Sequence, residues 1–186
     1  FWDAIAAMDG PHRTPGEAVD ALFEAVDVIR AIWTTGDRTP LRVDGTHYRL
    51  DGAKRGRAPA HDMPIWIGAQ SPRMQRMIGR KADGWMSTLS YVGFDGFRAG
   101  NAIIDAAARE AGRDPRDIRR IVNIDGRFEA TESGFLDGPP ANWVRDLTAL
   151  AVEDTVDTFI LASDEPDVMT RFAGEVIPAV RDWVVA

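Results

Sequence analysis

The sequence predicts an α/β fold in which a parallel sheet is covered by amphipathic helices. Short, almost continuously apolar segments alternate with segments of helical periodicity, which is the pattern of buried parallel strands joined by crossover helices. Because such crossovers are right-handed, two architectures fit, a doubly wound sheet and a (β/α) barrel. Four strand segments and five helical segments are too few for a closed eight-stranded barrel, whereas half of a barrel accommodates them.

The first predicted elements are a long helix and a hairpin. The helix begins at TPGE, residues 14–17, where threonine can cap, proline suits the first helical position and glutamate completes a capping box. Apolar residues then recur at helical spacing until Gly36 ends the helix. In LRVDGTHYRL, residues 41–50, alternating apolar residues around an Asp-Gly pair predict a hairpin. A polar loop, residues 51–62, precedes the first buried strand.

From residue 65 onward, predicted strands alternate with predicted helices. Each strand is a short apolar run, and each helix carries an apolar stripe with polar residues opposite. The predicted strands are 65–67, a strand that starts at 85, 121–124 and 158–161. The predicted helices are 72–82, 95–111, 142–151 and 166–184, the last with a break near Pro178.

Composition excludes several classes of function. The 186 residues are 45% hydrophobic, which suits one globular domain over residues 1–186, and the formal net charge is −7. Because no basic face can dominate such a chain, we expect no nucleic-acid partner. The absence of cysteine excludes disulfides, zinc thiolate sites and thiol catalysis, and fits a reducing cytoplasm. No apolar run approaches the ~20 residues that span a bilayer, so we expect no membrane partner.

Neither the histidines nor the acidic residues predict a metal site. His12, His47 and His61 lie far apart in sequence, and none has a His-x-x-x-His spacing. The acidic residues within 164–167 lie at a predicted helix start, where carboxylates complement the helix dipole. The basic segment KRGR, residues 54–57, is interpreted as a solvated loop, with electrostatic recruitment of an anionic cofactor as the alternative.

The segment PIWIGAQSPRMQRMIGRKADGWMST, residues 64–88, contains an abrupt corner between a strand and a helix. Ser71 can cap the helix that Pro72 opens, which leaves the first main-chain N–H groups without intrahelical partners. A helix N-terminus attracts an anion, and the small Gly68 and Ala69 let a ligand approach the backbone. Every strand-to-helix turn needs a cap and small residues, so a purely structural interpretation is equally supported. The corner is neither a P-loop nor a dinucleotide glycine fingerprint.

The same segment resembles the luciferase-like flavin- and F420-dependent oxidoreductases. Their corresponding segment reads, in outline, Pro-Ile-Trp-Ile-Gly-Gly, a small or polar residue, Pro-Arg and then Ala-Asp-Gly-Trp. Further stretches resemble the family in the same order along the chain: EAVDVIRAIWTTG at 24–36, VDGTHYRLDGA at 43–53, REAGRDP at 109–115, DGPPANWVRDL at 137–147, DTFIL at 157–161 and RFAGEVIPAVRDWV at 171–184. The resemblance therefore covers nearly the whole chain.

Members of that family are (β/α)8 TIM barrels, and this chain resembles only their second half. The resemblance implies a span from the fourth helix through the eighth strand and helix, with a small hairpin insertion and without the N-terminal half. Because the first residue is Phe1 and not methionine, we expect the chain to be processed, trimmed or incomplete. On this alignment the fifth to eighth strands are Ile65–Ala69, Trp85–Thr88, Ile121–Asp125 and Thr158–Leu161.

The resemblance also implies a cofactor, F420 or FMN, and a place for its phosphate. The residues expected to hold the phosphate are Gly68, Ala69, Gln70 and Ser71, with Ser87 and Thr88 nearby. Gln70 and Ser71 stand where some F420 enzymes carry two glycines. In the family, ring-binding and proton-handling residues lie largely on the first four strands, so no catalytic residue is assigned in this chain.

The predicted function is an oxidoreductase that uses F420 or FMN for hydride transfer or monooxygenation of a small organic substrate. This chain would supply the cofactor phosphate site. The alternative is a truncated half-barrel that binds an anion or self-associates without catalysis. Because a half-barrel leaves two sheet edges and an apolar inner face unprotected, we expect a homo-oligomer.

Overall fold

A computed structural model describes residues 2–185, and the chain divides into two compact units between Ile65 and Trp66. The first unit contains two helices and a hairpin, and the second contains a parallel sheet with its helices. The interpretation of residues 1–186 as one domain stays a prediction. Among residues 2–185, no helix is both long and apolar enough to cross a lipid bilayer.

The first unit is built around one amphipathic helix. Its elements are α1 (Trp2–Ala7), α2 (Pro15–Trp33), β1 (Leu41–Asp44) and β2 (Arg49–Ala53). The predicted capping box is present, since Thr14 Oγ1 accepts from Glu17 N and the Glu17 carboxylate accepts from Thr14 N. The apolar stripe of α2 buries Ala21, Phe23 and Val26, which confirms the helical periodicity.

The predicted hairpin is present, and α2 anchors its turn. β1 and β2 pair antiparallel, and the Glu24 carboxylate accepts hydrogen bonds from the main-chain N–H groups of His47 and Tyr48 at 3.0 and 2.7 Å. Within the basic segment 54–57, Arg55 donates to the carbonyls of Ala31 and Thr39. Arg55 therefore ties the end of α2 to the segment that leads into the hairpin, which is a structural role.

The second unit alternates strands and helices as predicted. Its strands are β3 (Trp66–Gly68), β4 (Gly84–Thr88), β5 (Arg119–Ile124), β6 (Arg127–Phe128), β7 (Asp137–Gly138) and β8 (Thr158–Leu161). Its helices are α3 (Pro72–Lys81), α4 (Leu89–Glu110), α5 (Pro140–Glu153), α6 (Pro166–Arg171) and α7 (Ile177–Val185), with a 3-10 turn at Pro115–Asp117. The main sheet is parallel in the order β3-β4-β5-β8, and β6 pairs with β7 separately.

Helices cover one face of this sheet, which favours a partial barrel over a doubly wound sheet. Trp85 on β4 stacks on Phe97 of α4, with ring centroids 5.1 Å apart. On the same face, Phe159 of β8 lines a groove with Leu147 of α5 and Val180 of α7. Side chains on this helix-covered face alternate with those on the opposite face, which we call the open face.

The open face is marked by exposed apolar side chains at both ends of the sheet. Trp66 on β3 is 43% exposed and Ile160 on β8 is 38% exposed, although each belongs to a strand of mainly apolar residues. Register places Gly68, Met86 and Ile121 side by side across the first three strands on this face. Ile121, on a central strand, is fully buried on this face, so the large exposures lie on the two edge strands, where a closed cylinder would continue.

Two of the predicted helices differ in detail from the sequence-based expectation. α4 begins at Leu89, and Gly93, with φ 67° and ψ 169°, separates its first turn from the predicted stretch. The predicted break near Pro178 is wrong. The helix continues through this proline and instead widens into a π-helical turn at Phe172–Val176. Pro178 has no N–H to donate to Gly174, four residues earlier, so a wider turn just before it relieves the missing bond.

Candidate functional site

The corner between β3 and α3 lies at the carboxyl end of the parallel sheet. β3 ends at Gly68 and α3 begins at Pro72, so the turn consists of residues 69–71. Ser71 has the extended conformation of an N-cap, and its hydroxyl accepts a hydrogen bond from Met74 N at 3.4 Å. The predicted cap is therefore present. In parallel α/β folds, ligands bind at this end of the strands.

Trp85 fixes the orientation of the corner. Its indole Nε1 donates to the carbonyl of Ala69 at 2.7 Å from the neighbouring strand. Trp85 is fully buried on the helix-covered face, so the Ala69 carbonyl points toward the core. Because the peptide bond is planar and trans, the N–H of Gln70 points in the opposite direction, away from Trp85.

The corner carries main-chain donors that the described residues do not use. Neither the N–H of Gln70 nor that of Ser71 donates a hydrogen bond within residues 2–185, and both residues are exposed. The first turn of α3 contains no acidic residue, whereas Glu17 fills that place in α2. The positive end of the α3 dipole is therefore not neutralised by a carboxylate, which suits an anion.

Gly68 is not needed for close packing, because there is room for a side chain at this position. A Cβ atom built at Gly68 would meet only Met86, whose carbonyl oxygen and Cε would lie 3.7 and 3.9 Å away. These are ordinary van der Waals distances. By contrast, a Cβ at Gly79 would lie 2.4 Å from the carbonyl oxygen of Ile104, so tight packing of α3 on α4 explains that glycine. The space at Gly68 lies on the open face, beside the corner.

Ser87 and Thr88 project to opposite faces of β4. Ser87 is 5% exposed on the helix-covered face, and its hydroxyl has no hydrogen-bond partner within residues 2–185. Thr88 is half-buried and shares the open face with Gly68. The structure therefore places Thr88, and not the Ser87 hydroxyl, on the side toward which the space at Gly68 opens.

Asn123 is a polar residue on this face that sequence reasoning missed. It pairs with Thr88 in the ladder between β4 and β5, and its Nδ2 donates to Thr88 Oγ1 at 3.1 Å. The signal was present in the sequence, since Asn123 interrupts the apolar run IVNI at the carboxyl end of a predicted strand. Recognising it required the register of β5 against β4, which spacing alone does not provide.

Two clefts flank the segment that follows β5 at the same end of the sheet. Each has a volume of about 630 Å³. The first is lined by Leu89, Phe94, Asp125 and Phe135 among others, and the second lies between the ends of β5 and β8. Phe94 packs edge-on against Phe135, with centroids 4.9 Å apart, which shapes the first cleft.

Ion pairs order the loop between these clefts. The Arg127 side chain donates to both carboxylate oxygens of Asp137 at 3.2 and 3.3 Å, and these bonds hold the pKa of Asp137 below its ordinary value. The Arg171 guanidinium lies 4.4 Å from the centre of the Phe128 ring and binds Glu175. Both arginines are thus engaged by this chain's own residues.

No group of three or more histidine, aspartate or glutamate side chains within residues 2–185 is arranged to hold a metal ion. The acidic residues at 164–167 instead lie at the start of α6. Ser163 Oγ accepts from Glu165 N at 3.2 Å, and Asp167 lies in the first helical turn. This agrees with the dipole interpretation of that sequence.

Relatives of known function match this chain over only part of their own length. The F420-dependent glucose-6-phosphate dehydrogenase of Mycolicibacterium fortuitum is 28% identical over 177 residues, which are 84% of this chain and 51% of that protein. The chain spans about half, or less, of the length of the first curated relatives that it matches.

Solved structures show the same fold at low sequence identity. An F420-dependent secondary alcohol dehydrogenase in complex with an F420–acetone adduct has a TM-score of 0.76 at 17% identity, covering 92% of this chain and 64% of that one. Riboflavin lyase with modified FMN and riboflavin has a TM-score of 0.79 at 13% identity, covering 98% of this chain and 61% of that one. The four-stranded sheet with its helices is therefore part of a barrel of this kind.

A sequence model of the luciferase-like monooxygenases matches residues 4–132, which is more than half of the chain. The match includes nearly all of the first unit, the corner at Gly68 and the strands β3 to β6. The resemblance identified from the sequence is thereby confirmed, and the chain belongs to the luciferase-like monooxygenase family.

Proposed function

We propose that this chain supplies the cofactor phosphate site of an F420- or FMN-dependent oxidoreductase that acts on a small organic substrate. The observation that carries the proposal is the corner at residues 68–71. There, two unused main-chain N–H groups, a helix dipole that no carboxylate neutralises and open space meet at the carboxyl end of a parallel sheet.

The geometry of the corner suits a phosphate group. Trp85 holds the Ala69 carbonyl toward the core, so the anion would approach the opposite side and meet N–H donors only. Gly68 and Ala69 admit the phosphate close to the backbone, and the Gln70 and Ser71 amides would donate to it. Thr88 lies on the same face, whereas the role predicted for Ser87 stays a prediction.

The choice of F420 or FMN rests on the relatives. The glucose-6-phosphate and secondary alcohol dehydrogenases are described as F420-dependent, and the riboflavin lyase contains modified FMN. Both cofactors carry a phosphate on a linear polyol chain, which the corner would hold in the same way. The bound cofactor would supply the redox chemistry, and this chain would fix the cofactor's position.

A Gly68→Ala variant tests the phosphate site. The added methyl group fits the fold but fills the space beside the donors, so we expect FMN and F420 to bind at least 10-fold more weakly, with an unchanged melting temperature. Riboflavin lacks the phosphate, so its affinity should change little in this variant. Gly174→Ala is the matched control, because a Cβ there is likewise accommodated without a close contact, with no atom within 4 Å, but it lies in the last helix.

Two results would contradict the phosphate site. One is equal affinity of the unmodified chain for FMN and riboflavin, measured by fluorescence titration. The other is an unchanged FMN dissociation constant in Gly68→Ala. Binding of F420 alone, or of FMN alone, would decide the cofactor.

A second candidate, an anion-binding half-barrel that self-associates without turnover, is favoured by the sheet edges. β3 and β8 end the sheet, each with one edge that no strand of the described chain pairs, and they carry the exposed Trp66 and Ile160. We propose a homo-oligomer on this ground. Light scattering should give a mass of two or more chains, and a strictly monomeric species would contradict it.

Turnover separates the two candidates. An enzyme would reduce or oxidise its bound cofactor when a substrate is added, whereas the second candidate would bind the cofactor without any change in its absorbance. Location in the cytoplasm, expected from the absence of cysteine, stays a prediction.

A further inference from the structure

We infer that Thr88 and Asn123 form a hydroxyl-binding pair for the polyol chain of the ligand whose phosphate lies at the corner. This inference rests on the proposed function, because the corner at residues 68–71 defines where the phosphate end of the ligand would be. It adds Asn123 as a binding residue and assigns Thr88 to the neutral part of the ligand rather than to its phosphate.

The pair occupies adjacent strands at the same level of the sheet. Thr88 and Asn123 are register partners, and the Nδ2 of Asn123 donates to Thr88 Oγ1 at 3.1 Å. Both side chains are half-buried on the open face. Their mutual hydrogen bond holds each in one rotamer, which prepares the pair for a ligand before it arrives.

The remaining hydrogen-bonding capacity of the pair matches a hydroxyl group. Thr88 Oγ1 accepts the bond from Asn123, so its own hydrogen is available to donate. Asn123 retains its Oδ1 acceptor, for which no partner occurs within residues 2–185, and Oδ1 is not among the enclosed unpartnered atoms. An adjacent donor and acceptor suit a hydroxyl, which both accepts and donates. A phosphate offers acceptor oxygens, so it would be repelled by Asn123 Oδ1, which is itself an acceptor.

The distance from the corner fits a linear polyol. Gly68 pairs with Met86, two residues before Thr88, which is roughly 7 Å along the strand at about 3.3 Å per residue. With strands about 4.8 Å apart, the pair lies roughly 8–12 Å from Gly68. A chain of about five carbons with C–C bonds of about 1.5 Å, joined to a phosphate, spans this separation.

Two kinds of ligand share this chemistry. FMN and F420 carry a linear polyol joined to a phosphate, and a sugar phosphate also combines hydroxyls with a phosphate. The pair recognises hydroxyls in either case. Whether the ligand is a cofactor or a sugar phosphate is therefore decided by which probe binds, and not by the chemistry of Thr88 and Asn123.

The test compares four probes in the full chain with Thr88→Val, Thr88→Ser and Asn123→Leu. The probes are FMN, riboflavin, inorganic phosphate and glucose 6-phosphate. We expect Thr88→Val and Asn123→Leu to weaken FMN and riboflavin by the same factor, roughly 5- to 10-fold, which is the effect of one lost hydrogen bond. Inorganic phosphate should bind unchanged, and Thr88→Ser should restore the affinity because it keeps the hydroxyl.

The outcomes separate this inference from the phosphate site. Riboflavin binding that depends on Thr88 and Asn123 supports the pair even if Gly68→Ala shows no effect on FMN. If the variants weaken only the binding of glucose 6-phosphate, the pair is supported and its ligand is identified as a sugar phosphate. The inference is overturned if the variants change only the melting temperature, if they weaken inorganic phosphate instead, or if no polyol probe binds the unmodified chain.

Discussion

The indole of Trp85 and the carbonyl of Ala69 are joined by a 2.7 Å hydrogen bond that links the core of the second unit to its candidate site. Trp85 itself is fully buried and stacks on Phe97 of α4. A rigid aromatic side chain in the core thus sets which way the peptide between Ala69 and Gln70 faces. The direction of the Gln70 N–H is therefore set by the packing of Trp85 as well as by the turn itself.

Replacing Trp85 by phenylalanine should loosen the corner. The variant retains most of the ring packing but loses the indole N–H, so we expect a loss of about 1–3 kcal/mol in the free energy of unfolding. FMN should bind several-fold more weakly, since the Gln70 N–H is no longer held in place. Thermal unfolding and fluorescence titration measure the two effects.

Trp143→Phe is the matched control for this substitution. Trp143 is equally buried, and its indole N–H also donates to a main-chain carbonyl, that of Arg127, at 3.4 Å. The Trp143→Phe variant should lose about as much stability as Trp85→Phe while keeping its affinity for FMN. Equal loss of FMN affinity in both variants would show that the Trp85 effect is a general one on stability.

Gly79→Ala should destabilise the contact between α3 and α4. A Cβ at Gly79 would lie 2.4 Å from the carbonyl oxygen of Ile104, so the two helices must separate at a cost of about 1–3 kcal/mol. Gly96→Ala within α4 is the control, because its Cβ would be 3.5 Å from Val92. That variant should be neutral or up to about 1 kcal/mol more stable, as helix propensity predicts. Chemical unfolding that ranks the two variants in reverse order would contradict the packing argument.

Arg120 should be far more important for stability than its neighbour Arg119. Arg120 is 3% exposed and donates to Asn101 Oδ1 at 2.7 Å and to the Asp105 carboxylate at 2.6 Å, which ties β5 to α4. Arg120→Met removes the shortest ion pair of the half-buried Asp105, which keeps only its 3.5 Å pair with Arg109, and it also removes the donor to Asn101 Oδ1, so we expect a loss of roughly 3 kcal/mol. Arg119→Met removes only an exposed pair with Asp157 and should cost less than about 1 kcal/mol. Similar losses in both variants, measured by chemical unfolding, would contradict this assignment.

Asp114 should titrate near pH 2. The Arg116 guanidinium and main-chain N–H bind its carboxylate and lower its pKa from 3.8 to about 2. Because the folded pKa is the lower one, the contribution of Asp114 to stability is complete above about pH 4 and declines as the pH falls toward about 2. Carbon-13 NMR of the carboxyl group measures the midpoint.

Arg116→Gln should raise the Asp114 midpoint toward its ordinary value, because the charged partner is removed. Arg181→Gln, in the last helix, should leave it unchanged. A midpoint that does not respond to the loss of Arg116 would rule out the ion pair as its cause.

Local signals predicted the elements of the second unit because each carries its own pattern. The Ser71-Pro72 pair predicted the start of α3, and the run TFIL predicted β8 to the residue. The form of the last helix was missed. The missing N–H of Pro178 is compatible with a break or with a wider turn, and the choice of the π-helical turn at Phe172–Val176 also depends on packing, including the edge-on contact of Phe172 with Trp143. The short β6 and β7 were also missed, because two residues carry no periodicity.

The sequence by itself determined the alternation of strands and helices, the cap at Ser71 and the family, because these depend on neighbours along the chain. Only the tertiary structure decided which side chains share a face. It placed Thr88 with Asn123 on the open face, enclosed the Ser87 hydroxyl on the other, and turned the Gln70 N–H outward through Trp85. The physical reason is strand register, which is set by packing between segments far apart in sequence and moves a side chain to the opposite face with each residue of shift.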